Sequence, residues 1–269
     1  MIEILLAIFF ITVLLLFLSS GIWVAISMIG VSSIGMILFT SRPVGDAMAT
    51  TIWGASSSWT LTALPLFVWM GEILFRTKLS ENLFEGLAPW LQKLPGGLIH
   101  VNVVGCALFA AISGSSAATV ATVGKMSIPE LRKRKYPEKI LLGSLAGSGT
   151  LGLLIPPSII LIIYGVTVQE SIAKLFIAGI IPGIMIALIF MGYVIIWSLL
   201  NKNKMPLTEE NYSFLNKLSK SKQLIPVILL ILGVIGSIYT GIATATEAAS
   251  LGVVGALILS YFQKSLNLK

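Results

Sequence analysis

Two short stretches hold the residues best able to do chemistry. The first is Ser113-Gly114-Ser115-Ser116, at the centre of an apolar run over 98–124. The second is Gly147-Ser148-Gly149-Thr150-Leu151-Gly152 followed by Leu153-Leu154-Ile155-Pro156-Pro157-Ser158, midway along 138–167. Poor helix formers in one run, and glycines with two consecutive prolines in the other, leave backbone groups that a continuous helix cannot satisfy. At membrane depth such backbone is tolerated only where it is buried in protein or lines a cavity. Freed carbonyls beside hydroxyls then offer hard oxygens to a small cation such as Na⁺, and a hairpin tip facing a broken helix is how secondary transporters build ion and substrate sites. The plainer reading of either stretch is a proline kink or a close helix contact made by small residues. Their occurrence in consecutive segments favours a site.

Other chemistries have little to work with. The lone Cys106, inside an apolar run, excludes a disulfide framework and a cysteine-based zinc site. The lone His100 leaves little for metal or imidazole chemistry. An intramembrane serine protease using His100 and Ser113 fails on geometry, because 13 residues along one helical arm separate the two by about 20 Å, far beyond hydrogen-bond reach. No catalytic residue, enzyme activity or organic cofactor is expected.

The elements that position the two stretches are set by the bilayer. The 269 residues are 56% hydrophobic and 11% charged, with a mean hydropathy of +0.97, which excludes a soluble enzyme, a secreted module and a disordered tail. Apolar runs at 2–18, 21–39, 59–75, 98–124, 138–167, 172–200, 224–240 and 244–262 predict an all-α, polytopic membrane protein. The net charge of +7 gathers between these runs, so it reads as an orientation signal in contact with lipid, and nucleic acid is not an expected partner. Met1-Ile2-Glu3, with no Lys or Arg before Arg42, argues against a cleaved signal.

If 98–124 were one straight helix, its centre would carry the Ser-Gly-Ser-Ser stretch. A re-entrant hairpin fits better. The segment from Ser116 to Gly124 is about nine residues, roughly 14 Å of helix, too short to cross about 30 Å of hydrocarbon. The hairpin also puts Arg76, Lys78 and Lys93 on the same, cytoplasmic, side as Lys125, Arg132, Lys133, Arg134, Lys135 and Lys139. Lys202, Lys204, Lys217, Lys220 and Lys222 return to that side two crossings later, and the intervening turn at Gln169 and Glu170 has only Lys174. Between Arg76 and Pro95, the spacing of Leu79, Leu83, Leu87, Trp90, Leu91 and Leu94 predicts one apolar helical face lying on the membrane surface. An ordinary amphipathic linker fits the same pattern.

The strings ALPLFVWMGEIL (63–74), KLPGGL (93–98), AISGSSAATVATVG (111–124), GTLGLLIPPSIILIIYGV (149–166), SIAKLFIAGIIPG (171–183) and GIATATEAASLGVVGAL (241–257) carry a resemblance. In order and spacing they resemble the large membrane (permease) subunit of tripartite ATP-independent periplasmic (TRAP) transporters, of the C4-dicarboxylate and sialic-acid type. That resemblance implies an elevator-type secondary transporter in the bacterial inner membrane, driven by a Na⁺ gradient. It implies import of an organic acid delivered by a periplasmic substrate-binding protein, with a small four-helix membrane subunit as a second partner. It also implies a Na⁺ site made by Ser113 and Ser115 with backbone oxygens of Gly152, Ile155 and Pro157, and Gly114, Ser116, Thr119, Gly149 and Thr150 as neighbours of ion or substrate. The expected division is N-terminal scaffold helices over 1–76, an amphipathic interfacial helix over 77–97, a transport-type unit over 98–200, a cytoplasmic linker over 201–223, and over 224–269 the incomplete start of a second repeat.

Large subunits of this family resemble two inverted repeats, each with a hairpin and a broken helix. This sequence carries one of each, so it reads as an N-terminal portion, and a non-transporting scaffold fragment is the alternative function. Among single residues, Glu247 reads as a capping partner of Thr244, with a polar role within the membrane as the other possibility. Glu72 reads as an i,i+4 partner of Arg76, and Trp23, Trp53, Trp59, Trp90 and Trp197 read as interface-belt residues.

Overall fold

The computed structural model describes residues 2–77, 79–206 and 212–263, and no strand occurs among them. Lys78, positions 207–211 of the expected linker and positions 264–269 of the last expected segment lie outside the described residues, as do the side chains of Ile2, Leu79, Ser80 and Glu81. The chain forms two units, Met1–Ser58 and Trp59–Lys269.

The first unit holds α1 (Ile2–Ser19), α2 (Val24–Phe39) and α3 (Val44–Ser56). The break between α1 and α2 falls at Gly21, whose φ of +76° suits glycine. A Cβ on Gly30 would lie 2.6 Å from the Phe17 ring, so the missing side chain lets α2 approach α1. The sequence did not predict α3: Asp46, Thr50 and Thr51 dilute its hydropathy, although helix geometry is indifferent to that.

The second unit begins with α4 (Ala63–Phe75) and α5 (Leu79–Leu91), followed by α6 (Ile99–Ser113) and α7 (Ser116–Lys133). Next come α8 (Glu138–Gly149), a 3-10 turn (Thr150–Leu153) and α9 (Ile159–Val168). The chain then runs through α10 (Ile172–Leu200), α11 (Phe214–Ser221), α12 (Ile225–Tyr239) and α13 (Ala245–Phe262). Among the described residues, Ile172–Leu200, Phe214–Tyr239 and Ala245–Phe262 are long and apolar enough to cross a membrane.

Small residues bring the helices of this unit together. α13 repeats Ala248, Gly252, Ala256 and Ser260 at four-residue spacing, all buried, and a Cβ on Gly252 would run into Met70 of α4 and Val234 of α12. Ala63, Phe67, Met70 and Leu74 of α4 share one core cluster with Ala248 and Ala256 of α13 and with Phe109, Ile112 and Phe176. The ring of Phe67 meets that of Phe176 edge to face at 6.4 Å. At the start of α13, Glu247 accepts from the Thr244 backbone N–H at 2.8 Å and donates its own N–H to the Thr244 hydroxyl, the predicted capping box. Glu72 and Arg76 likewise pair, with Nε to Oε1 at 2.8 Å.

α6 and α7 form a hairpin. Gly105 of α6 faces Val123 of α7 near the middle, and Leu98 and Val101 pack with Leu131 near the open end. The second arm differs from expectation in length: α7 runs 18 residues, to Lys133, rather than stopping at Gly124. Lys125 to Lys133 carries charge, but Met126, Ile128 and Leu131 keep an apolar face against Leu98, Val101 and Leu141, so the helix continues through Pro129. What returns the chain is the Gly114 turn and the antiparallel packing.

α5 presents Leu83, Phe84, Leu87, Ala88 and Leu91 to the second unit's core rather than leaving them free. Gly86 lies so close to Leu224 that a Cβ would meet it at 2.6 Å. At the open end of the hairpin the Leu98 N–H donates to the Tyr136 hydroxyl at 3.0 Å, and burial pushes that phenol above its usual pKa. Arg132 pairs with Glu138 across the α7–α8 turn, and its hydrogen bond holds the Glu138 carboxyl below its usual value.

Candidate ion site at the hairpin tip

The helix α6 ends because Gly114 adopts φ +59°, a left-handed conformation that a residue with a Cβ enters only at a cost. α7 then starts with Ser115 as N-cap, its hydroxyl accepting the Ala118 N–H at 3.4 Å. The two-residue turn folds Ser113 under the start of α7. Its hydroxyl lies 3.0 Å from the Thr119 hydroxyl and donates to the Ser115 carbonyl at 3.3 Å. Ser113 and Thr119 are buried, so these oxygens converge away from bulk solvent.

The broken helix receives this tip. A Cβ on Gly114 would lie 2.6 Å from the Pro157 carbonyl oxygen, and the Gly114 carbonyl accepts the Ile159 N–H at 3.3 Å. A Cβ on Gly152 would lie 2.8 Å from the Ser116 nitrogen and 3.0 Å from the Ser115 carbonyl carbon. One on Gly149 would collide with Val120. The glycines of both stretches are thus contact points between them. Ser158 is fully buried and donates to the Leu153 carbonyl at 2.7 Å, closing the loop that the two prolines open.

Seen as helix ends, the C-termini of α6 and of the α8 segment meet the N-termini of α7 and α9. Such crossings place carbonyls and amides of opposite polarity around one point. The Ser116 hydroxyl there is buried without a partner, a polar atom that the protein alone leaves unsatisfied. The oxygens gathered beneath the tip are hydroxyls and carbonyls, with the Glu72 carboxylate on the cavity beside them, and among the described residues no group of three or more His, Cys, Asp or Glu side chains could hold a metal.

The structure therefore brings Ser113, Gly114, Ser115, Ser116 and Thr119 against Gly149, Gly152 and Pro157. Ile155 turns its side chain onto Gly183 of α10, and its N–H donates to Leu151 at 2.8 Å. Thr150 is exposed, its hydroxyl donating back to the Gly147 carbonyl at 2.7 Å. α4, expected from its hydropathy, also lies against the tip, which its sequence does not announce. A Cβ on Gly71 would touch the Ser113 Cα at 3.0 Å, and a cavity of about 230 Å³ beside the tip is lined by Gly71, Glu72, Phe109, Ser113, Ser115 and Ile159, among others. Gly71-Glu72 was visible as a small residue beside a charge in an apolar string, but its partner lies some forty positions on. His100 binds the Pro95 carbonyl at 2.8 Å at the far end of α6, remote from Ser113.

A helical hairpin seated in a broken helix, among apolar helices of spanning length, is the architecture of a multi-pass membrane protein. The chain belongs to the DctM component family of tripartite ATP-independent periplasmic transporters, whose family model matches residues 11–269. It is 34% identical over 234 residues to the C4-dicarboxylate TRAP transporter large permease protein DctM of Pseudomonas aeruginosa, covering 87% of this chain and 54% of that protein. It is 34% identical over 242 residues to the sialic acid TRAP transporter large permease protein SiaM of Vibrio cholerae, covering 89% and 55%. To the isethionate TRAP transporter permease protein DctMQ of Oleidesulfovibrio alaskensis it is 34% identical over 250 residues, covering 92% and 38%. The chain spans about half the length of the curated relatives it matches, or less. Like the family, it is a multi-pass protein of the inner membrane.

Proposed function

We propose that the chain contributes one hairpin and one broken helix to a Na⁺-driven permease that imports an organic acid. In this reading a periplasmic binding protein delivers the substrate and a small four-helix membrane subunit completes the assembly. The relatives named above handle C4-dicarboxylates, sialic acid and isethionate, all acids, which supports an anionic substrate class.

Na⁺ is the coupling ion. The observation that carries this reading is the convergence of the Ser113 and Thr119 hydroxyls and the Ser115 carbonyl beneath the tip, with the Pro157 carbonyl closing over Gly114. A neutral, oxygen-only donor set suits a hard monovalent cation. Ser113, Ser115 and backbone oxygens of Gly152, Ile155 and Pro157 would hold the ion, and Thr119 and Ser116 supply further hydroxyls beside it.

The test is uptake by the assembled transporter as Na⁺ is varied. Ser113→Ala or Ser115→Ala should raise the Na⁺ concentration for half-maximal uptake, because the first removes a converging hydroxyl and the second the N-cap that holds the Ser115 carbonyl in place, each with little change in packing volume. Pro157→Ala should instead lower maximal uptake at saturating Na⁺, because the loop can then close helical hydrogen bonds and withdraw its carbonyls. Unaltered Na⁺ dependence in both serine variants would make the tip a close-packing turn and no ion site.

A further inference from the structure

The lysines of 201–223 serve the reading above only as an orientation signal, yet Lys217 and Lys220 belong to a built cluster, with Lys222 next to it in sequence. α11, a 3-10 turn and α12 run on as one apolar helix, Phe214–Tyr239, of 26 residues, or about 39 Å at 1.5 Å per residue. Hydrocarbon about 30 Å thick occupies about 20 of them, and the head-group layers bring the bilayer to about 40–45 Å. With Tyr239 at one boundary, Lys217 falls just beyond the other, Lys220 at it and Lys222 about 5 Å inside it, from where a lysine side chain reaches back to the head groups.

That end has two surfaces. Toward α5, the Trp90 indole N–H donates to the Ser221 hydroxyl at 2.8 Å, the ring meets Phe214 edge to face at 6.3 Å, and the Lys217 ammonium lies 5.3 Å from the ring centre. The Lys220 ammonium lies 4.6 Å from the ring centre of Tyr212. The rest of that end is open, with Leu215 and Leu218 74% and 50% exposed. Among the described residues none of the three lysines forms an ion pair, and 201–223 carries five lysines against two glutamates.

We propose that this end of the helix, clasped to Trp90, is a binding site for anionic phospholipid. Phosphates meet Lys217, Lys220 and Lys222, and the upper acyl chains cover Leu215 and Leu218. An apolar protein partner would bury three ammoniums without counter-charge, and an acidic one would leave the leucines and Phe214 facing unlike groups. A lipid supplies negative charge and hydrocarbon at the right relative depth, and an indole held at the boundary suits the same layer. Lysines already stacked on aromatic rings lose less side-chain freedom on meeting a phosphate than free ones would.

The experiment uses the purified chain in phosphatidylcholine nanodiscs containing a minority of spin-labelled phosphatidylglycerol, with spin-labelled phosphatidylcholine as reference. The expected result is enrichment of the anionic lipid beside the protein, falling about five-fold per lysine replaced by Gln at 217, 220 and 222. Replacement of the same three by Arg should retain the enrichment. In the unaltered chain high salt should weaken it, a readout independent of any folding defect in the Gln variant. A photo-crosslinker at Leu215, in membranes containing the assembled transporter, should attach to lipid. Equal association of the two lipids with the unaltered chain, enrichment insensitive to salt, or attachment of the Leu215 probe to protein would each overturn the proposal.

Discussion

Replacing Gly114 with Ala should unseat the hairpin tip from the broken helix. Two costs follow from the geometry. Holding a residue with a Cβ at φ +59° costs roughly 1–2 kcal/mol. The added Cβ would also lie 2.6 Å from the Pro157 carbonyl oxygen, a backbone atom that cannot rotate away, so tip and loop must separate. Separation breaks the bond from the Ile159 N–H to the carbonyl of buried Gly114, and leaving such a buried polar group unsatisfied costs about 1–3 kcal/mol. The sum, about 2–5 kcal/mol, corresponds to roughly 30-fold to several-thousand-fold faster local opening at 1.4 kcal/mol per decade. Hydrogen exchange of peptides covering 111–119 and 155–163, in detergent or nanodiscs, reads this directly. Gly143→Ala is the control, since a Cβ there meets nothing within 4 Å. Unchanged exchange at both peptides in the Gly114 variant would refute the seating of the tip.

The hairpin places its two open ends together, so single cysteines at Lys93 and Lys133, in a background lacking Cys106, should react with an impermeant reagent from the same side of the membrane. Reaction from opposite sides would mean that α6 and α7 cross in series. Thr244→Ala removes the acceptor of the Glu247 N–H and one side of the capping box, so the start of α13 should lose about 1 kcal/mol of local stability and exchange about five-fold faster. Unchanged exchange there would assign the ordering of that turn to packing against α4 instead.

The sequence made much of this fold legible, for physical reasons that differ by element. Two consecutive prolines and a Ser-Gly-Ser-Ser stretch cannot continue a helix, so the broken helix and the hairpin turn were readable one residue at a time. The end of the second arm was not, because hydropathy stops at Gly124 whereas helix geometry tolerates Lys125–Lys133 as long as Met126, Ile128 and Leu131 find partners. α3 was missed for the same reason. The periodicity of 79–91 identified an amphipathic helix, but a leucine stripe does not say whether protein or lipid will cover it, and Leu83 and Phe84 are covered by protein. At the tip, the contacts of Gly71 with Ser113 and of Gly152 with Ser116 join residues some forty positions apart, which leaves no local trace. Glycines in apolar segments announced that something approaches closely, without naming the partner.

The central claim is that the oxygens gathered at Ser113, Ser115, Thr119 and Pro157 form a Na⁺ site. The measurement that tests it most directly is hydrogen exchange across 111–119 and 149–159 while Na⁺ replaces K⁺ at constant ionic strength. An ion that binds only the seated tip stabilises it by RT ln(1 + [Na⁺]/Kd), so exchange in both stretches should slow as Na⁺ rises, reaching about 100-fold when Na⁺ exceeds Kd by that factor. Ser113→Ala should shift the protection to higher Na⁺. Exchange that is the same in Na⁺ and K⁺ at every concentration would contradict the claim.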